Sequence, residues 1–253
     1  MQELERIQRV AARIVATSPA GHNLLLIGGF RYRLLDQSSR VSRDIDYHWE
    51  GRLEEKQEEL LRLSRRKLIP EVRRDLGYDG RAALPSGPEA ESPSARCVEL
   101  VFWKSAPPSN QIVLPLEVTR IVCLDPMTVR TAEGVVYATA SDLDLIEAKV
   151  LAVLNRLFVE HRDFVDIFLY GNRFSADSPG RIKDKLAKIS SDRLAVRRRL
   201  DDLEQNVDYH SRTVQRIIDT QLDAVVAAQL NAAGGGRTVF AQAFQLIQLN
   251  VGL

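Results

Sequence analysis

The run Leu24-Leu25-Leu26-Ile27-Gly28-Gly29-Phe30-Arg31, with Arg40-Val41-Ser42-Arg43-Asp44-Ile45-Asp46-Tyr47 a short way downstream, constrains this chain more than any other feature. An apolar stretch ending in paired glycines reads as a strand that turns sharply into a helix, since glycine allows the backbone close approaches that other residues block. The second stretch reads as a strand. Its side chains alternate faces, so Asp44 and Asp46 share one face while Ile45, Tyr47 and Trp49 take the other. Two like charges so placed cost free energy unless a cation lies between them, and magnesium is commonly held by one or two carboxylates plus substrate phosphates. Free N–H groups at a helix start favour phosphate, which gives Gly28 and Gly29 a matching purpose. The two stretches together predict a metal-dependent site that handles nucleotides.

Around this feature the apolar spacing of Leu4, Ile7, Val10 and Ile14 predicts a helix over 2–16. A long charged helical pattern runs from Leu53 to Leu76, and Pro70 inside it is expected to break or kink it. Residues 77–95 collect prolines, glycines and serines and read as a flexible loop. Two strand patterns follow, Cys97 to Lys104 and Gln111 to Arg120, joined by the turn-rich 105–110. Pro115 in the second argues for an edge position or a bulge. Ile112, Leu114, Leu116 and Val118 make one apolar face there, which leaves Glu117 on the other as the candidate third carboxylate; Glu99 in the preceding strand is its rival. A short strand is expected over 135–137, and a cap from Ser141 to Asp144 opens a helical region that runs to Leu253, interrupted at 178–180 and 234–236. The fold class is α+β: a mixed-sheet core over 1–140 and a helical domain over 141–253.

Within that helical region Lys149 stands among Leu145, Ile146, Ala148, Leu151, Val153 and Leu154, and a lysine so placed wants an anionic partner or must snorkel to water. Arg156, two turns on, shares its face, and Arg162 and Asp166 have the spacing of a helical ion pair.

These blocks, Gly28-Gly29, Arg40-x-Ser42-x-Asp44-x-Asp46, Glu147-x-Lys149 and Arg162-Asp163-x-x-Asp166, lie in an order that resembles the AbiEii/AbiGii toxin family, on the polymerase-beta-like nucleotidyltransferase fold. The resemblance covers roughly 21–170 and implies transfer of a nucleoside monophosphate from a nucleoside triphosphate (NTP) to an acceptor hydroxyl. It implies that Asp44, Asp46 and Glu117 bind magnesium or manganese, and that Gly28, Gly29, Ser42 and Arg31 meet the triphosphate. It further implies that Lys149 neutralises phosphate charge and that Asp163 or Asp166 supports Lys149. The helical domain then completes the nucleotide site. A toxin-antitoxin or phage-defence role follows from the same resemblance, with RNA, in particular the tRNA acceptor end, as acceptor and a cognate antitoxin as partner. The chain departs from the family at Phe30, where a serine or threonine usually follows the glycine pair.

Composition narrows the alternatives. Net charge is +1, so any polyanion surface is local, and the basic clusters at Arg62, Arg65, Arg66, Lys67, Arg73 and Arg74 and at Arg193, Arg197, Arg198 and Arg199 are its candidates. Two cysteines, Cys97 and Cys123, exclude a cysteine-built zinc site and make a disulfide framework improbable. No apolar run reaches membrane-spanning length and the first fifteen residues lack a signal-peptide core, so a cytoplasmic enzyme is expected. Two other readings stay open: a binding module on a degenerate transferase fold, suggested by Phe30, and a nuclease using Glu117 or Asp125 with Glu147-x-Lys149, which would require those residues on a strand.

Overall fold

The structure is a computed structural model that describes residues 2–85, 94–104 and 110–252. The chain divides into two compact units, 1–121 with 127–140, and 122–126 with 141–253. The short 122–126 segment thus packs with the helices rather than with the sheet it follows in sequence.

The first unit holds helices α1 (Gln2–Ala16), α2 (Gly28–Leu35), α3 (Leu53–Leu63) and α4 (Ile69–Leu76). Its strands are β1 (Leu25–Ile27), β2 (Ile45–His48), β3 (Asp79–Ala83), β4 (Ala95–Trp103), β5 (Ile112–Thr119), β6 (Thr128–Ala132) and β7 (Val135–Thr139). They form one mixed sheet in the order β3-β4-β5-β2-β1-β7-β6, with β2–β5 and β1–β7 parallel and the other pairs antiparallel. Ile7, Ala11 and Val15 of α1 bury against Leu26, Ile45, Tyr47, Leu116 and Val118, which is the face the sequence alternation assigned to the core. Phe30 and Leu34 of α2 join the same core.

Four local expectations change. Part of the 77–95 loop is strand β3, antiparallel to β4; residues 86–93 lie outside the described residues, as do 105–109 of the expected turn. Pro70 does not break the charged helix. The backbone stays helical through it: a π-helical stretch, Ser64–Leu68, runs directly into α4, and its wider turn takes up the proline, which has no N–H to donate, without ending the helix. Strand β5 is interior, yet Pro115 obeys the logic behind the edge expectation: it faces Glu99 of β4, and pairing with β2 begins only at the next residue, Leu116↔Ile45. Lastly, β6 pairs with β7 through a two-residue turn of Glu133 and Gly134, both at positive φ. Glutamate is not a residue that announces such a turn, so the hairpin was not evident in the sequence.

The second unit is helical: α5 (Asp142–Asn155), α6 (Arg162–Tyr170), α7 (Ser178–Lys188), α8 (Arg193–Gln205), α9 (Val207–Gln221), α10 (Ala224–Ala232) and α11 (Gly235–Val251). Its separate core includes Ile146, Val150, Phe164, Ile167, Ile218 and Phe240. The expected cap is present, with the Asp144 N–H donating to Ser141 Oγ at 2.9 Å. Ser178-Pro179 starts α7, and α11 begins after Gly234, so both expected interruptions are helix boundaries.

Candidate functional site

In the sheet unit the site is built on the turn from β1 into α2. Gly28 has φ +72°, and a Cβ there would lie 1.8 Å from Asp46 Oδ2. A Cβ on Gly29 would lie 2.4 Å from Arg40 Nη2 and 2.8 Å from Ser42 Oγ. The two glycines are therefore required by the close approach of a carboxylate, a guanidinium and a hydroxyl. The residue at the N-cap of α2, Ile27, carries no side chain that can cap it, and the dipole of a helix start favours negative charge there.

Asp44 immediately precedes β2 and Asp46 lies within it, both partly exposed. Ser42, itself buried, donates its hydroxyl to Asp44 Oδ1 at 2.6 Å and so orients that carboxylate. Gln8 of α1 reaches the same segment, donating to the carbonyls of Ser42 at 3.1 Å and Asp44 at 3.2 Å. Glu117 stands opposite Asp46 in the parallel β2–β5 register, and Cys97 of β4 stands opposite Glu117. The Cys97 thiol is pushed up to about 12, first by burial and then by the charges of Glu117, Glu99, Asp46 and Asp44. Four carboxylates thus charge one region of the sheet. Glu117 is the direct neighbour of Asp46, whereas Glu99 faces Pro115 beyond the end of β2.

The donor set fits a divalent cation. Among the described residues no three His, Cys, Asp or Glu side chains form a ready-made cage. Magnesium needs none, because it takes one or two carboxylates and completes its shell with water and phosphate oxygens. Asp44 and Asp46 supply such hard oxygens beside the start of α2, with Glu117 in the adjacent strand.

The structure places Arg31 away from the phosphate-facing role implied for it. Its side chain is fully buried, paired with Asp36 and donating from Nε to Thr139 Oγ1 at 3.3 Å. Phe30 is wholly buried in the core, so the residue after the glycine pair serves packing.

In the helical unit Lys149 Nζ lies 2.8 Å from Asp163 Oδ1 and 2.9 Å from Asp166 Oδ2. Both aspartates therefore hold the lysine. Arg156, at the end of α5, donates to the other oxygen of Asp163 at 3.1 Å, so one carboxylate gathers two cations. Glu147, two residues before Lys149, turns to a different group: Lys185 Nζ lies 2.8 Å from it and 2.6 Å from Asp144, and Arg181 bridges Asp125, Asp144 and Glu147. Burial alone would raise the Asp144 pKa, but Lys185 and the amides of Leu124 and Asp125 overcome it and hold the carboxyl ionised. This network staples α5, α7 and the 122–126 segment together. It leaves nothing to favour the nuclease reading, because Glu147 and Lys149 sit on a helix and serve different partners.

Part of the first basic cluster is committed to the fold: Arg65 donates to the Ala82 carbonyl, Arg73 pairs with Asp79, and Arg74 pairs with Glu71 and Asp75. Sequence reasoning missed Gln8 and Cys97. Gln8 left a trace, a polar residue within the apolar stripe of α1.

A family model described as "Nucleotidyl transferase AbiEii toxin, Type IV TA system" matches residues 9–245. No curated protein matches the chain. Among solved structures, JHP933 from Helicobacter pylori is 16% identical with a TM-score of 0.54, the match covering 99% of this chain and 92% of that one. MenT4, a nucleotidyltransferase toxin from Mycobacterium tuberculosis H37Rv, is 13% identical with a TM-score of 0.52, covering 97% and 82% respectively. At such identities the likeness is one of fold.

Proposed function

The chain belongs to the AbiEii nucleotidyltransferase toxin family, and from that premise we propose that it transfers a nucleoside monophosphate from an NTP to an acceptor hydroxyl on RNA. The observation that carries the reading is the Asp46 carboxylate packed on Gly28 at the start of α2, with Glu117 beside it in register. Asp44 and Asp46 hold magnesium or manganese, which, when bound, offsets triphosphate charge and polarises the α-phosphorus. Ser42 fixes Asp44, and the amides of Gly28 and Gly29 receive phosphate oxygens. Glu117 accepts the proton of the attacking hydroxyl or completes the metal site. The new O–P bond forms at the α-phosphorus as the bond to the bridging oxygen breaks, and pyrophosphate leaves. Lys149, steadied by Asp163 and Asp166, neutralises phosphate charge, with Arg156 beside it. Arg31 is assigned to the fold.

The tRNA acceptor end is the acceptor this proposal favours, with a cognate antitoxin restraining the enzyme in a toxin-antitoxin or phage-defence setting. No helix among the described residues is long and apolar enough to cross a membrane, and the proposal places the work in the cytoplasm, where NTPs and tRNA are found. Incubating the protein with each α-labelled NTP, magnesium and total cellular RNA tests it. Label should appear in RNA of tRNA size. Shortened RNA without incorporation, or no reaction with any NTP, would refute the transfer.

A further inference from the structure

Leu157 and Phe158, in the connection between α5 and α6, are 81% and 75% exposed, more than any other large apolar side chain among the described residues. Their backbone is braced. Arg199 of α8 donates from Nη2 to the carbonyls of Arg156 at 2.6 Å and Leu157 at 3.2 Å, and Asn155 at the end of α5 accepts from the Ser191 hydroxyl. The Arg156 guanidinium, its side chain 51% exposed, is anchored 3.1 Å from Asp163, the buried carboxylate that also holds Lys149 at 2.8 Å. All of these residues belong to the helical unit. A single exposed apolar side chain is ordinary, but two in succession on a turn tied down by arginines place an aromatic ring in water at a fixed position. Burial is what makes a phenylalanine stabilising, so the ring does little for this fold.

Charge and size select the partner. Beside the ring stands the half-exposed Arg156, whereas the carboxylates of the same connection are engaged: Asp163 on Arg156 and Lys149, Glu160 with Arg162 at 3.5 Å. An anion is therefore the better match. Two side chains fall far short of the about 800 Å² that each partner buries in a stable protein interface, but one aromatic face suits one nucleobase. We propose that Phe158 is a stacking platform for an unpaired base of the acceptor RNA, with Arg156 meeting an adjoining phosphate. This inference rests on the reading of the protein as an enzyme that acts on RNA, and it adds which part of the acceptor is held. The nucleotide must be single-stranded, because a base within a duplex already has both faces stacked. Asp163 ties Arg156 to Lys149, so the platform adjoins the lysine assigned to phosphate.

A binding experiment without NTP or metal tests it. Phe158→Trp puts an indole on the turn. Its fluorescence, taken as the difference from the wild type with its own Trp49 and Trp103, should fall saturably with a short oligoadenylate and stay level with inorganic polyphosphate, which carries charge but no bases. Anisotropy of the labelled oligoadenylate should show binding weakened about 5- to 150-fold by Phe158→Leu, which keeps an apolar surface but removes the aromatic face. Arg156→Gln should weaken binding and reduce its salt dependence by about one counterion. Val225→Ala, which trims a side chain 71% exposed on α10, should leave affinity unchanged. No oligoadenylate binding by the wild type, equal quenching by polyphosphate, or a loss in Val225→Ala as large as in Phe158→Leu would overturn the proposal. So would undiminished affinity in Phe158→Leu, the result expected of a surface that docks a protein instead. None of these readouts involves nucleotidyl transfer: a protein that transfers without stacking refutes this proposal alone, and one that stacks without transferring refutes the transfer.

Discussion

Gly28→Ala isolates the close approach on which the site depends. The substitution has two separable effects. An alanine at φ +72° is strained by its backbone, which costs about 1–2 kcal/mol. Its Cβ would also meet Asp46 Oδ2 at 1.8 Å, so the carboxylate must retreat. A retreat of roughly 1 Å in a reacting group costs about 10²-fold in rate. Gly77→Ala supplies the control: Gly77 has φ +73° at the end of α4, but nothing lies within 4 Å of a Cβ there. Both variants should melt about 2–8 °C below the wild type, from the strain alone at about 2–4 °C per kcal/mol for a chain of this size. Only Gly28→Ala should also lose label transfer, by about 10²-fold or more in kcat/KM. If the two variants lose stability alike and both retain transfer, the contact between Gly28 and Asp46 has no part in catalysis, and the reasoning fails.

Lys149→Ala should reduce transfer by about 10²–10³-fold, the scale for one preorganised charge-stabilising group, and should weaken NTP binding; equal affinity in a titration against wild type would remove Lys149 from the phosphate role. Phe30→Ser should destabilise by about 3–5 kcal/mol without raising turnover, because the ring is wholly buried; faster transfer at an unchanged melting temperature would contradict its core assignment. His161, buried against His210 at 2.8 Å, has its pKa lowered from 6.5 to about 4, chiefly by burial. The unfolded chain therefore binds this proton more readily, and the stability the neutral ring contributes is present above pH 6.5 and lost as pH falls toward 4. Denaturant titrations from pH 7 to 4.5 should show that loss, with a shallower slope in His161→Gln; identical slopes would refute the assignment.

The parts of the site legible in sequence are those set by local spacing. Alternation along the expected strand paired Asp44 with Asp46, although the strand itself begins only at Ile45, and Lys149 stood out because its neighbours on α5 are apolar. The glycine pair was legible as a turn. Its reason was not, since Asp46, Arg40 and Ser42 reach Gly28 and Gly29 only through tertiary folding. Cys97 became visible only through the β4–β5 register. Gln8 supports Ser42 and Asp44 from more than thirty residues away, which no local pattern encodes. In the fold, the helix preference of 53–76 outweighed Pro70 because one π turn absorbed it, and β3 and β6 were hidden because edge strands with one neighbour need little apolar alternation. Asp163 and Asp166 could not be ranked from sequence since both lie one turn apart on α6, and the structure shows both on Lys149.

On the proposed mechanism, transfer depends on the metal that Asp44 and Asp46 would hold. RNA-dependent pyrophosphate release, followed while magnesium is titrated into the wild type and Asp46→Asn, tests it most directly. Release should saturate with magnesium and stop on chelation in the wild type, and should be absent from a folded Asp46→Asn protein. Wild-type rates from Asp46→Asn, or release that ignores chelation, would contradict it.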